Sequence, residues 1–256
     1  MGMLTTVGDI LAWLSEAAPP ALAEEWDNVG LLVGGPDAPV DGVLVSLDPS
    51  PAAIAQAAAA GAQLLISHHP VIFGGKKRLL ADDPAYLLAR AGIAAIAAHT
   101  NLDAAPGGVN DALAARLGLD EVRTAPDGIS RLGRLGTPLP PAAFAAYVMD
   151  RLEAPAVQWQ AGERPVETVA LCSGAGEDFM APLLEQADAF VTGELKYQDW
   201  PASGATVVAA GHFHTEIWMA EALAARLRGA FPALRVETAK ERCPYGVMVR
   251  RRNPEG

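Results

Sequence analysis

The chain has 256 residues, 51% of them hydrophobic, and a formal net charge of −11 at pH 7. That length buries a core for one or two domains, and the acidity argues against broad electrostatic capture of nucleic acid or of an anionic membrane. No apolar run reaches the ~18 residues that span a bilayer, and the start MGMLTTVGDILAW lacks a basic segment followed by an apolar one; a cytoplasmic protein without a membrane partner is expected.

In chain order, TTVGDILAWLSE (5–16) places Val7, Ile10, Leu11 and Leu14 at helical spacing behind a capping threonine. GVLVSLDPSPAAIAQAAAAGAQLLISHHP then reads as a strand (43–47), a turn, an alanine-rich helix (50–60) and a second strand (63–67). Both strands are short continuous apolar runs, the pattern of a parallel sheet covered on both faces. A helix over 83–91, a third strand over 93–98 and a helix from Gly108 follow.

Near residue 125 the texture becomes rich in Gly and Pro, APDGISRLGRLGTPLPP, and reads as a crossing between domains. Beyond it, PAAFAAYVMDRLEA is a helix, and ETVALCSGAGEDFMAPLLEQADAFVTGEL repeats the earlier strand, turn, helix, strand order. The strand ATVVAAG (205–211) leads into GHFHTEIWMAEALAARLRG, whose Trp218, Ala222 and Ala225 are expected in the core, and LRVETAK and YGVMVRR give closing strands. Cys172 and Cys243 are too few for a disulfide framework or a thiolate zinc site and are expected as buried thiols.

All five histidines fall just beyond apolar strands: His68 and His69, His99, and His212 and His214. Ligands gather at the carboxyl ends of strands in open α/β sheets, so these ends predict one convergent site. Asp103 lies in the loop after His99, and Glu216 stands one helical turn after His212. Imidazole with carboxylate and no thiolate suits zinc, iron, manganese, nickel or cobalt. So many donors exceed one open tetrahedral site and fit two divalent ions about 3.5 to 4 Å apart.

Four segments in this order, EEWDNVGLLVG (24–34), LLISHHPVIF (64–73), AHTNLDAAPGGVNDALAARLG (98–118) and GHFHTE (211–216), resemble the Nif3-like dinuclear metal centre family, also called the type 2 GTP cyclohydrolase I family. The resemblance implies two α/β domains with largely parallel or mixed sheets. The second, residues 126–208, is inserted in the first, made of 1–125 and 209–256. It further implies a toroidal homohexamer, a trimer of dimers, of the short form that lacks an extra trimerising domain. His68, His69, Asp103, His212 and Glu216 are the implied ligands of two metal ions, with Glu216 bridging. His99 and His214 fall outside that set: His99 is expected to orient a ligand or carry a proton, and His214 either faces substrate or is an exposed first-turn residue.

Glu194 and Lys196, in FVTGELKYQDW, are expected at a strand end as an acid or base and an anion contact, while Gln198 stands where many members carry histidine. Trp26, Asp27 and Asn28 match the first family segment and read structurally as an Asx turn with a packed indole. SGAG (173–176) before a helix reads either as a phosphate cradle or as a plain glycine turn.

The function expected is that of a dinuclear-metal-dependent hydrolase, in which metal-bound hydroxide attacks a small, nucleotide-like substrate and Glu194 or His99 carries protons. In the cyclohydrolase form the attacked atom is C8 of guanine in GTP. A phosphoester hydrolase fits the same metal chemistry, and a non-catalytic toroid that holds and delivers ions is the alternative of another class. A DNA-encircling ring is disfavoured by the charge unless Lys76, Lys77 and Arg78 line its cavity; that loop otherwise reads as a solvated turn.

Overall fold

A reciprocal capping box starts the first helix, α1 (Val7–Ala17): Asp9 N donates to Thr6 Oγ1 at 3.1 Å and Thr6 N to Asp9 Oδ2 at 2.8 Å. Val7, Ile10 and Leu14 are buried and Leu11 is half-buried against them. The computed structural model describes residues 4–202 and 204–248.

The next elements are β1 (Gly30–Val33), β2 (Gly42–Ser46), α2 (Pro51–Ala59), β3 (Leu64–Ser67), α3 (Pro84–Ala91) and β4 (Ala94–Ala97). Every residue of β2, β3 and β4 is buried, which is why these strands lack polar alternation. They pair in parallel with Val43 opposite Leu64 and Leu64 opposite Ala94. Two helices follow, the short α4 (Thr100–Ala104) and α5 (Val109–Arg116).

The stretch expected as a crossing is instead part of a hairpin, β5 (Asp120–Thr124) with β6 (Arg131–Leu139). Asp127 Oδ1 accepts from the N–H groups of Ile129 and Ser130 at 2.8 and 2.7 Å and Gly128 adopts φ +82°, so the Gly and Asp mark a tight turn. Pro138 falls where the pairing of β6 is irregular, between Arg134 and Leu139, and so takes no place in a regular ladder.

The chain continues through α6 (Pro141–Arg151), β7 (Gln158–Gln160), β8 (Val166–Cys172), α7 (Glu177–Leu184), β9 (Ala189–Thr192) and β10 (Thr206–Ala209). A mixed second sheet results, in the order β5-β6-β8-β9-β10-β7, with β8, β9 and β10 parallel. Helices α8 (His212–Glu216) and α9 (Trp218–Ala230) then return to the first sheet, where β11 (Arg235–Thr238) pairs in parallel with β2. That sheet reads β1-β4-β3-β2-β11, with β1 antiparallel at its edge.

Helices cover both faces of both sheets. Side chains of α1 and α9 pack on one face of the first sheet and those of α2 and α3 on the other. The second sheet lies between α5 and α6 on one side and α7 on the other.

The buried stripe of α9 is Met219, Leu223 and Leu227, with Ala220 and Ala224, and not the expected Trp218, Ala222 and Ala225. The bulkier side chains set the phase of the helix, which leaves Trp218 half-buried under the Arg116 guanidinium at 3.8 Å and Ala225 exposed. Cys172 is buried, whereas Cys243 is only partly so. Residues 245–248 of the expected last strand form none, and the rest of it lies outside the described residues.

Candidate metal centre

Parallel strands of both sheets deliver the polar residues of one site from their carboxyl ends. His68 and His69 follow β3, His99 follows β4, and Gly211 and His212 follow β10. The chain turns at His68 and His69, where Ser67 Oγ donates to the carbonyl of His69 at 2.8 Å and Pro70 holds His69 extended. Their two rings, which would diverge on a regular strand, lie with centroids 5.0 Å apart.

Each of three imidazoles is held at Nδ1 and directs Nε2 inward. His68 Nδ1 is 2.9 Å from the carbonyl of Ala98, His69 Nδ1 is 2.7 Å from Asp48 Oδ1, and His212 Nδ1 is 3.1 Å from Glu194 Oε1. The opposite nitrogens converge on Glu216: His69 Nε2 and His212 Nε2 lie 3.2 and 3.1 Å from its Oε2, and His68 Nε2 lies 3.8 Å from Oε1 and 3.7 Å from Asp103 Oδ1.

Despite this crowding, His68 Nε2 and Glu216 Oε2 are buried with no hydrogen-bond partner. Buried polar atoms left unpaired are costly, and inward lone pairs fixed by outer hydrogen bonds are the arrangement of metal ligands. The donor set of imidazole and carboxylate fits a divalent transition metal, and His69, His212 and Glu216 could hold one ion.

Electrostatics follow from burying these groups together. Burial alone would lower the imidazole of His69, but Asp48 and Glu216 overcome it and raise it to about 10. Glu216 chiefly raises His212, against burial, to about 9. Burial disfavours charge on Glu216, yet the surrounding imidazoles hold its carboxyl well below the usual carboxylate range. Asp103 is raised to about 6 by burial, against the pull of His68.

His99, outside the ligand set that the resemblance implies, stands in a second group with His68 and His69 whose ligand atoms lie within 4.8 Å of one another. Its Nδ1 is 2.8 Å from Asp27 Oδ1, and Asp27 Oδ2 accepts from Thr100 N at 3.0 Å and from Thr100 Oγ1 at 2.5 Å. Burial and the neighbouring His68 lower the imidazole of His99, which favours its neutral form. Asn28 N donates to Asp27 Oδ1 at 2.7 Å, a bond to the adjacent residue rather than the one two residues on that an Asx turn makes, and the indole of Trp26 is 60% exposed rather than packed.

Asp103 stands on the short helix α4 and not in the expected loop, and that helix is tied to the second sheet by residues that carry no local signal in the sequence. Asn110 Nδ2 donates to the Asp103 carbonyl at 3.2 Å while Asn110 Oδ1 accepts from Ser173 N at 2.8 Å. Arg131, 1% exposed, donates to Asp111 Oδ1 at 2.7 Å and to the carbonyls of Ala104 and Ala105 at 3.1 and 3.0 Å. Behind His69, Glu241 accepts from the N–H groups of Leu47 and Asp48 at 2.7 and 3.0 Å and so fixes the turn that presents Asp48. A carboxylate just past β2, parallel to β3 and β4, was the available signal for Asp48.

Residues 173–176 form a tight turn against the centre, with Gly174 at φ +62°. The N–H groups of Ser173, Gly174 and Gly176 donate to Asn110, Thr215 and Thr192, at 2.8, 3.1 and 3.1 Å, so the phosphate-cradle reading is not met there. Glu194 lines a separate cleft of about 330 Å³ with Tyr245, and Lys196 is paired with Glu177 at 3.0 Å. The ring of His214 packs edge-on against Phe213 with centroids 5.4 Å apart. Lys76 pairs with Asp83 at 2.9 Å, and Lys77 and Arg78 are exposed.

Beside Asp103, His212 and Glu216 opens a cavity of about 540 Å³, walled by Trp26, Phe73 and Phe179. Among the described residues no helix is long and apolar enough to cross a membrane.

The profile of the family described as Duf34/NIF3 (NGG1p interacting factor 3) matches residues 5–244. A Streptomyces coelicolor protein named GTP cyclohydrolase 1 type 2 homolog is 34% identical over 244 residues, covering 86% of this chain and 85% of its own. A Lactococcus lactis protein of the same name is 31% identical over 226 residues, covering 81% and 86%. Among solved structures, Staphylococcus aureus hypothetical protein SA1388 superposes with a TM-score of 0.91 at 27% identity, covering 96% of this chain and 100% of that one. Protein ybgI, of unknown function, gives 0.85 at 27% identity, covering 94% and 100%.

Proposed function

Since this chain belongs to the Duf34/NIF3 family, we propose that it is a metal-dependent hydrolase whose two divalent ions are held by His68, His69, Asp103, His212 and Glu216, with Glu216 shared between them. The observation that carries this reading is the convergence of three Nε2 atoms on one buried carboxylate. When bound, such ions acidify water and polarise the bond under attack. The donor set admits zinc, iron, manganese, nickel or cobalt.

The chain's own residues supply orientation and proton transfer. Asp48, the Ala98 carbonyl and Glu194 each hold one imidazole in the tautomer that presents Nε2. His99, gripped by Asp27 and lining the cavity, accepts a proton from water or returns one to the leaving group. Trp26, Phe73 and Phe179 give one side of the cavity an aromatic wall. The names of the relatives point to GTP as the nucleotide, and the family resemblance adds C8 of guanine as the atom attacked. The family resemblance adds a homohexamer and a division into residues 1–125 with 209–256 and an inserted 126–208.

Elemental analysis of the purified chain, with mass spectrometry of its reaction with a nucleotide panel that includes GTP, tests the reading. About two transition-metal ions per chain with formate released from GTP supports it in full. Metal with no turnover of any nucleotide removes the cyclohydrolase reaction and favours ion handling. Full metal retention in the double variant His68→Ala, Glu216→Ala removes the centre itself.

A further inference from the structure

The walls of the cavity beside the centre differ in character from its floor. Trp26 and Phe73 are 60% and 56% exposed, although each is a large apolar side chain, and they meet edge to face with centroids 5.8 Å apart. Both also stand edge-on to His99, at 6.0 and 6.3 Å. The fold thus leaves aromatic surface open next to His99, with Phe179 and Ile129 also lining the cavity. Aromatic surface of this kind binds flat rings by stacking, largely independent of which ring it is.

The same walls carry carboxylates beside two imidazoles, those of His99 and His212. Among the described residues lining the cavity none is lysine or arginine, while Glu24 and Asp178 add carboxylates beyond Asp103 and Glu216. The backbone N–H groups of Ser173, Gly174 and Gly176 are already spent on Asn110, Thr215 and Thr192. Lys196 is engaged with Glu177. Away from the His212 and Glu216 floor, a phosphate would meet the carboxylates of Glu24 and Asp178 and no lysine or arginine.

We infer that the cavity selects an uncharged planar heterocycle, a free base or nucleoside, and that its substrate carries no phosphate. This rests on reading the adjoining cluster as a hydrolytic centre, and it names the substrate class that centre serves. It departs from the triphosphate in the relatives' names while keeping a ring as the group attacked.

The test is calorimetric titration of the metal-loaded full chain with each of the four common ribonucleosides and its 5′-monophosphate and triphosphate. At least one nucleoside is expected to bind, with affinity falling about tenfold or more from nucleoside to triphosphate. Trp26→Ala and Phe73→Ala, both changes of exposed rings, are expected to weaken that nucleoside about tenfold with metal content unchanged. Glu24→Gln combined with Asp178→Asn should recover part of the loss for the triphosphate.

Affinity that rises with phosphate count, as it would if the ions drew the phosphates, overturns the inference. So does the absence of binding by all four nucleosides, or binding indifferent to Trp26 and Phe73. Turnover is read separately: nucleoside binding without turnover counts against the hydrolase alone, and turnover of triphosphates in preference to nucleosides counts against this inference alone.

Discussion

Asp48 Oδ1 lies 2.7 Å from His69 Nδ1, so the imidazole whose Nε2 faces Glu216 is held from behind by a carboxylate. That pairing fixes the tautomer and raises the basicity of the inward nitrogen. Asp48→Asn replaces the carboxylate by a neutral group of the same shape. Affinity for zinc is expected to fall about 10- to 100-fold, with far-ultraviolet circular dichroism unchanged. Competition with a chromophoric chelator measures it, and wild-type affinity in the variant would show that Asp48 does not tune the ligand.

Metal must displace protons from this site. With no metal bound, His69 and His212 titrate near 10 and 9, above the ordinary 6.5, so both are protonated at neutral pH. Affinity for a divalent ion should therefore climb as pH rises from about 7 to 9. Linkage to folding has a definite sign: the stabilisation from protonated His69 and His212 is complete below 6.5 and is lost as pH passes through 9 and 10. Metal-free protein should melt at lower temperature at pH 10 than at pH 7. Calorimetric zinc titrations at pH 7.5 in buffers of different ionisation heat should reveal proton release, and heats independent of the buffer would contradict this assignment.

Much of the cluster was legible because its histidines sit at punctuated strand ends. The runs ending in His68, His69, His99 and His212 are continuous and apolar, and a parallel sheet places such ends side by side. What escaped are partners set by tertiary structure. Glu241 reaches Asp48 across 193 positions and Ser173 reaches Asn110 across 63, distances over which sequence carries no pairing signal. The Gly and Pro around Arg131 masked a nine-residue strand, because Gly128 and Pro138 mark its turn and its irregular end rather than a linker.

Arg131 is the clearest case, since a charged side chain in sequence reads as surface. Here its guanidinium, 1% exposed, forks onto Asp111 and caps the carbonyls of Ala104 and Ala105, just past Asp103. Arg131→Met fills similar volume but strands those acceptors. Stability should drop by about 3 to 5 kcal/mol, read from urea denaturation. Metal affinity should fall with it, as the helix that carries Asp103 loses its tie to the second sheet. A variant as stable as wild type would mean that solvent replaces the fork at no cost.

Gly174 allows the centre to be disrupted without touching a ligand. Its φ of +62° already disfavours any side chain, and an added Cβ would run into Glu216 Oε1 and come within 3.2 Å of His212 Nε2. Gly128 provides the comparison, because its φ is +82° but a Cβ there meets nothing within 4 Å. Both Gly→Ala variants should lose about 1 kcal/mol to backbone strain. Only Gly174→Ala should also displace Glu216 and lower metal content when purified alongside wild type. Elemental analysis of the two variants separates strain from obstruction: equal metal in both would show that Glu216 can shift without loss of metal, and a deficit confined to Gly174→Ala would tie metal binding to the position of Glu216 against this turn.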